Sequence, residues 1–125
     1  MNDDLKMVTI SCIGVDPGNA LFLDELAPII ECQSGVMSTK LVKETLPNTK
    51  GELSAALQIV FAVSSIAIPV LYDIIKAVWS KNRRKKNELS LTLTDDRKNS
   101  EVITLMYDDT KNTVMLTVKK DDSIL

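Results

Sequence analysis

The sequence predicts an α+β chain: an N-terminal strand and short helix, one long apolar helix of membrane-spanning length, and a C-terminal three-stranded antiparallel meander. Three observations predict this class. Strand-like alternation of apolar and polar residues occurs near both ends, an uncharged stretch of twenty residues lies in the middle, and a block of basic residues follows that stretch. With 45% hydrophobic residues, the chain has enough apolar material for a core.

The N-terminal segment, residues 1–50, is predicted to form a strand, a short helix and a second strand. The sequence LKMVTISCI, residues 5–13, alternates in polarity and is rich in β-branched residues, which is typical of a strand. The turn sequence VDPGN then leads to apolar residues at helical spacing over residues 20–33, where Pro28 must kink or divide the helix. Residues 36–45 are predicted as the second strand.

The long apolar helix is predicted over residues 51–80. Residues 53–72 carry no charge, and twenty helical residues span about 30 Å, the thickness of a membrane's hydrocarbon core. Tyr72 and Trp79 lie where an aromatic belt is expected, and membrane helices tolerate an internal Pro69 better than water-exposed helices do. A spanning helix is therefore favoured over a buried core helix of a soluble domain or a helix lying in the membrane interface.

Four residues of this predicted helix fall on one narrow stripe. Ser54, Gln58, Ser65 and Pro69 are separated by steps of four or seven residues, which places them on one helical face. In a membrane such a stripe would face a partner helix, and in water the broad apolar remainder would need covering. We therefore expect helix association and a homo-oligomer.

A basic collar is predicted over residues 81–87, directly after the apolar helix. Basic residues at the end of a spanning helix bind anionic headgroups or set its orientation, so the collar and the meander after it are expected in the cytoplasm, with the chain in the membrane. The alternative location is the cytoplasm as a soluble protein. The collar residues are Lys81, Arg83, Arg84, Lys85 and Lys86.

The C-terminal segment, residues 88–125, is predicted to form the antiparallel meander. Its strands have the sequences ELSLTLT, EVITLMY and TVMLTVKK, and turn residues separate them. Each strand places apolar residues on one face, and a helix is the obvious element to cover that face. The four segments, 1–50, 51–80, 81–87 and 88–125, can also form a single domain.

The composition argues against catalysis and against bound cofactors or metals. The chain has no histidine and no glycine-rich phosphate loop, and its aspartate doublets lack the spacing of a calcium loop. Cys12 and Cys32 form no CxxC pair and are expected as free thiols. Nucleic acid is not an expected partner, because the basic residues are confined to one block and only 4% of residues are aromatic.

The layout of the chain resembles a known family. A strand and short helix, GELSAALQIVFAVSSIAIPVLYDIIKAVW, the basic KNRRKK, and strands beginning ELSLTLTD and EVITL are together similar to the effector-associated constant component family of bacterial conflict systems. This resemblance covers about the last three quarters of the chain. It implies a non-enzymatic, membrane-anchored adaptor whose partner is an effector protein encoded nearby. The alternative is a soluble α+β interaction module that oligomerises through its long apolar helix.

Overall fold

Six strands and two helices make up the part of the chain that the structure describes. The computed structural model describes residues 5–15, 17–47, 51–62, 68–82, 88–95, 99–108, 110–111 and 113–120. In chain order the elements are β1 (Leu5–Val15), α1 (Pro17–Glu31), β2 (Val36–Thr45), β3 (Leu53–Ala62), α2 (Ile68–Asn82), β4 (Glu88–Asp95), β5 (Ser100–Asp108) and β6 (Thr113–Lys120).

All six strands belong to one antiparallel sheet with the order β2-β3-β1-β4-β5-β6. The first strand is central, because β1 pairs with β3 on one side and with β4 on the other. The predicted C-terminal meander is present, since β4 pairs with β5 and β5 with β6. The expectation of an antiparallel sheet is therefore confirmed.

Each helix connects two parallel strands that have one antiparallel strand between them. Helix α1 joins β1 to β2, which are parallel with β3 between them, and α2 joins β3 to β4, which are parallel with β1 between them. Two such split βαβ units in a β-α-β-β-α-β order form the ferredoxin-like arrangement. Strands β5 and β6 extend that four-stranded arrangement at its β4 edge.

The core lies between one face of the sheet and the two helices. Strand side chains that face the helices are buried at alternate positions, as the two-residue period of a strand requires. The helices contribute apolar side chains from one face each, and the T-shaped pair of Phe22 and Trp79, with ring centroids 5.4 Å apart, joins α1 to α2. The buried helix residues include Phe22, Leu23, Leu26, Ile30, Leu71, Ile75, Val78 and Trp79.

The predicted long apolar helix is wrong. Residues 53–62 form strand β3 instead, and a separate helix, α2, begins at Ile68. Side chains in β3 alternate between buried and half-buried, with Ala55, Leu57, Ile59 and Phe61 facing the core. The position of β3 as an inner strand, flanked by β2 and β1, accounts for the lack of charge in this stretch.

Pro69 has a different role from the one predicted. It lies in the first turn of α2 and is exposed, and proline is favoured there because the first helical N–H groups have no partner within the helix. Pro69 therefore starts a helix and does not interrupt one. Helix α2 has 15 residues, so it is about 22 Å long.

Neither helix of the described chain has the length and apolar character that a transmembrane span requires.

Candidate functional site

The most unusual surface of the molecule is the sheet face opposite the helices. Both helices lie on one face: Lys43 and Thr39 of β2 contact Asp24 and Glu31 of α1, and the ring of Trp79 on α2 packs against Phe22 of α1. Because strand side chains alternate between faces, the intervening residues point the other way. We call this second surface the open face.

The open face of the four inner strands is uncharged except at the β4 and β5 ends that carry Glu88 and Asp108. Hydroxyl-bearing side chains occupy its middle, and the charged open-face residues in the described part of these strands are Glu88, at the start of β4, and Asp108, at the end of β5. By comparison, 26% of the whole chain is charged. The uncharged inner open-face residues are Leu5, Met7, Thr9, Ser11, Ile13, Ser54, Ala56, Gln58, Val60, Ala62, Ser90, Thr92, Thr94, Ser100, Val102, Thr104 and Met106.

Large apolar side chains are exposed at both ends of this face. At one end, Leu5 and Met7 of β1 lie opposite Ala62 and Val60 of β3. At the other end, Met106 of β5 pairs with Met115 of β6. The exposed large apolar residues of the open face are Leu5, Met7, Ile13, Val42, Met106 and Met115, with Ile13 the most exposed at 72%.

Hydroxyl groups link the strands between the two apolar ends. Thr9 lies opposite Thr94, and the Thr94 hydroxyl is 3.1 Å from that of Ser100 on the next strand. The Ser11 hydroxyl donates a 3.4 Å hydrogen bond to the backbone oxygen of Thr92. These short side chains satisfy part of their hydrogen bonding within the sheet, so they leave a smooth central band with no charge to desolvate.

Charged residues appear on the open face of the edge strands. Lys40 and Glu44 flank Val42 on β2, and Lys119 lies on β6. All three charged side chains are exposed. Charges on edge strands hinder uncontrolled pairing with other chains, which explains their presence at the rim.

Two of the four predicted helix-association residues lie on the open face. Ser54 and Gln58 are half-buried residues of β3 on either side of Ala56, whereas Pro69 is exposed on α2, so no single helical stripe contains them. Ser65 lies outside the described residues. The grouping on one helix is therefore wrong, although Ser54 and Gln58 do share a face.

The predicted basic collar is described in part. Lys81 is exposed in the last turn of α2, next to a shallow apolar groove formed with Ile29, Ile74, Ala77 and Val78. Arg83, Arg84, Lys85 and Lys86 lie outside the described residues. Whether this collar binds anionic headgroups stays a prediction.

One polar pair connects the helical layer to the meander. The Tyr72 hydroxyl on α2 donates a hydrogen bond to the Glu101 carboxylate on β5. Burial of the phenol raises the pKa of Tyr72 well above its usual value, and the hydrogen bond to Glu101 and its negative charge raise it further. Both groups are part-buried, so this pair fixes α2 against the sheet.

Other titratable groups have local causes for their shifts. Burial raises the pKa of the Cys12 thiol, while the Thr110 hydroxyl lowers the pKa of the Asp108 carboxyl by donating a hydrogen bond to it. Cys12 is buried and Cys32 is exposed, and both are free thiols. Within the described ranges, no three His, Cys, Asp or Glu side chains converge as metal ligands would.

The open face could not be found by scanning for catalytic or ligand motifs, because it is assembled from every strand. Its signal in the sequence is the neutral alternate positions of each strand, such as Ser90, Thr92 and Thr94 in β4. Comparisons of the chain with protein-family models, curated proteins and solved structures find no significant match.

Proposed function

We propose that this chain is a non-catalytic protein-interaction module that docks through its open face onto a flat, uncharged protein surface. The observation that supports the proposal is the combination of inner strands whose open face is charged only at the β4 and β5 ends, at Glu88 and Asp108, with exposed Leu, Ile, Val and Met side chains on the same sheet face. Extended apolar patches that a soluble surface leaves uncovered commonly mark protein interaction sites.

The energetic argument is that covering this face removes apolar surface from water at little electrostatic cost. Each Å² of apolar surface buried contributes about 25 cal/mol, and the central hydroxyl groups need no counter-ion. The helical side differs, because Asp73, Lys76 and Lys81 are exposed on α2 and would lose hydration if covered. The open face is therefore the better docking surface.

The resemblance to the effector-associated constant component family adds a prediction about an outside partner. It implies that an effector protein encoded beside this chain binds the module. The membrane-anchored form of that role is set aside, because the helix proposed to carry it is strand β3 followed by the short helix α2. Identifying the neighbouring gene product and measuring its binding to this chain would test the prediction.

We infer a cytoplasmic location from the two thiols. Cys32 is exposed and free, and exposed thiols persist in reducing compartments. Cell fractionation with a thiol-reactive probe would test this, since recovery of reduced Cys32 from the cytoplasmic fraction is the expected result. Recovery of an oxidised Cys32 from an extracytoplasmic fraction would contradict it.

Methionine oxidation provides a direct test of docking through the open face. Met7, Met106 and Met115 are exposed on that face, whereas Met37, exposed at 64%, lies at the bulge of edge strand β2. In dilute purified protein all four should react with hydroxyl radicals. In the native cells the three open-face methionines should be protected, while Met37 should stay reactive.

The internal control makes this footprint specific. Protection of all four methionines would indicate poor access of the radical to the protein and requires comparison with a denatured sample. Equal oxidation of Met7 and Met37 in cells and in dilute solution would overturn the proposed function, because the open face would then be free where the protein works.

A further inference from the structure

We infer that the partner on the open face is a second copy of this chain, packed sheet against sheet around a two-fold axis that runs across the strands. The inference rests on the proposed function and names its partner. It is argued from three properties of the face: its area, the residues in its central row, and the order of charges on β2.

The area of the face matches what a stable dimer needs. Six strands about 4.8 Å apart and about eight residues long give a footprint of roughly 25 by 26 Å, or about 650 Å². Allowing for side-chain relief, this approaches the 800 Å² or so that each partner buries in a standard interface. It is also near a tenth of the accessible surface of 7911 Å².

The central row of the face suits contact with itself. Strand pairing aligns Val42, Ala56, Ser11, Thr92 and Val102 across five neighbouring strands. In a two-fold interface, residues on the axis meet their own copies, so away from the solvent-exposed rim they must be uncharged and small enough for two sheets to pack about 10 Å apart. This row meets both requirements.

The charges on β2 are self-complementary about that row. Lys40 and Glu44 lie at equal distances on either side of Val42, so the two-fold axis places Lys40 of one copy opposite Glu44 of the other, twice. On β3, Gln58 and Ser54 flank Ala56 in the same way, which allows an amide-to-hydroxyl hydrogen bond between copies. A partner of unrelated sequence would need to match this pattern by chance.

The row ends at Lys119 on β6, the opposite edge strand. The same axis brings the two copies of Lys119 toward each other, and both are exposed at the rim, where a long lysine side chain extends into water. This contact between like charges lowers the affinity of the dimer but is compatible with the two-fold arrangement of the two sheets. The dimer is therefore expected to dissociate on dilution.

Charge reversal on β2 tests the arrangement by sedimentation of the full chain over a wide concentration range. Lys40→Glu and Glu44→Lys each place like charges across the interface twice, so each should weaken dimerisation about tenfold. The double reversal restores opposite charges and should restore dimerisation. Both side chains are exposed on an edge strand, so we expect the fold to be unaffected, and Lys76→Glu on α2 is the matched control with no expected effect on dimerisation.

A charge introduced in the central row tests whether the partner is a second copy, separately from whether the two copies have the two-fold orientation. Thr92→Lys places two lysines on the axis and should abolish the dimer, with circular dichroism checking the fold and Thr92→Ser expected to keep the dimer. Loss with Thr92→Lys but no rescue by the double reversal would overturn the two-fold orientation. A chain that stays monomeric at all concentrations would overturn the inference that the partner is a second copy. Methionine protection in cells would then still support docking of the open face to another protein.

Discussion

The Tyr72 hydroxyl on α2 donates a hydrogen bond to the Glu101 carboxylate on β5, across 29 residues of sequence. Helix α2 also packs against β6 of the meander through apolar side chains. The hydrogen bond adds a polar contact between the helical layer and the meander. Because β5 and β6 lie outside the β-α-β-β-α-β core arrangement, this pair helps to fix the extension to the rest of the fold.

Tyr72→Phe should therefore destabilise the fold. The variant keeps the ring but leaves the part-buried Glu101 carboxylate without its donor, at an expected cost of about 1 kcal/mol in the free energy of unfolding. Urea denaturation measures this cost. Glu101→Gln keeps an oxygen acceptor for the Tyr72 hydroxyl and should lose less stability, so an equal or larger loss would contradict the hydrogen-bond explanation.

The same pair predicts a loss of stability at alkaline pH. The folded state holds the Tyr72 proton more tightly than the unfolded state does, because the pKa of Tyr72 is raised above its usual value of about 10. Above pH 10 or so, the unfolded chain loses this proton while the folded chain keeps it, and the free energy of unfolding then falls as pH rises. Subtracting the Tyr72→Phe profile removes the contribution of lysines, and a difference that does not change between pH 8 and pH 11 would argue against the raised pKa.

The alternation in β3 predicts that substitutions at neighbouring positions change the free energy of unfolding by very different amounts. Leu57→Ala removes a fully buried side chain and should cost about 2–5 kcal/mol, whereas Gln58→Ala, on the open face, should change stability by about 0.5 kcal/mol or less in dilute protein. Chemical denaturation of the two variants checks the strand directly. Comparable losses at both positions would contradict the assignment of Gln58 to the open face.

Substitutions of Trp79, which lies where the two helices meet, are expected to destabilise the fold strongly. Its ring is 1% exposed and packs on Phe22, while its Nε1 has no hydrogen-bond partner among the described residues. Trp79→Ala should cost about 3–5 kcal/mol, and Trp79→Phe should cost less because it removes the unpaired N–H while keeping an aromatic ring. Thermal unfolding gives the ranking, with the exposed Val70→Ala as a control of little expected effect.

Much of the local structure could be predicted from the sequence, whereas the central segment could not. The strands near both ends alternate between apolar and strongly polar residues, so their period is evident in Leu89, Leu91 and Leu93. In β3 both faces are uncharged, since one faces the core and the other belongs to the open face. The contrast between alternate positions is therefore weak, and hydropathy alone favours a helix.

The open face was harder still to predict, because strand order is a property of distant pairings. Ser54 and Gln58 were expected to make contacts between chains, and the inferred dimer assigns them such contacts, but on a sheet and beside residues far away in sequence. Thr92 and Val102 join the same row only through the pairing of β4 with β1 and β5. Periodicity within a segment contains no information on that order.

The central position of β1 has a consequence for how the chain is made. This strand is synthesised before the two strands that border it, because β3 and β4 start only at Leu53 and Glu88. Until both have been synthesised, at least one side of β1 presents unpaired backbone groups next to apolar side chains, a state that is prone to aggregation. The two sides of β1 can therefore both be paired only after β4 has been synthesised, and these long-range pairings favour slow folding.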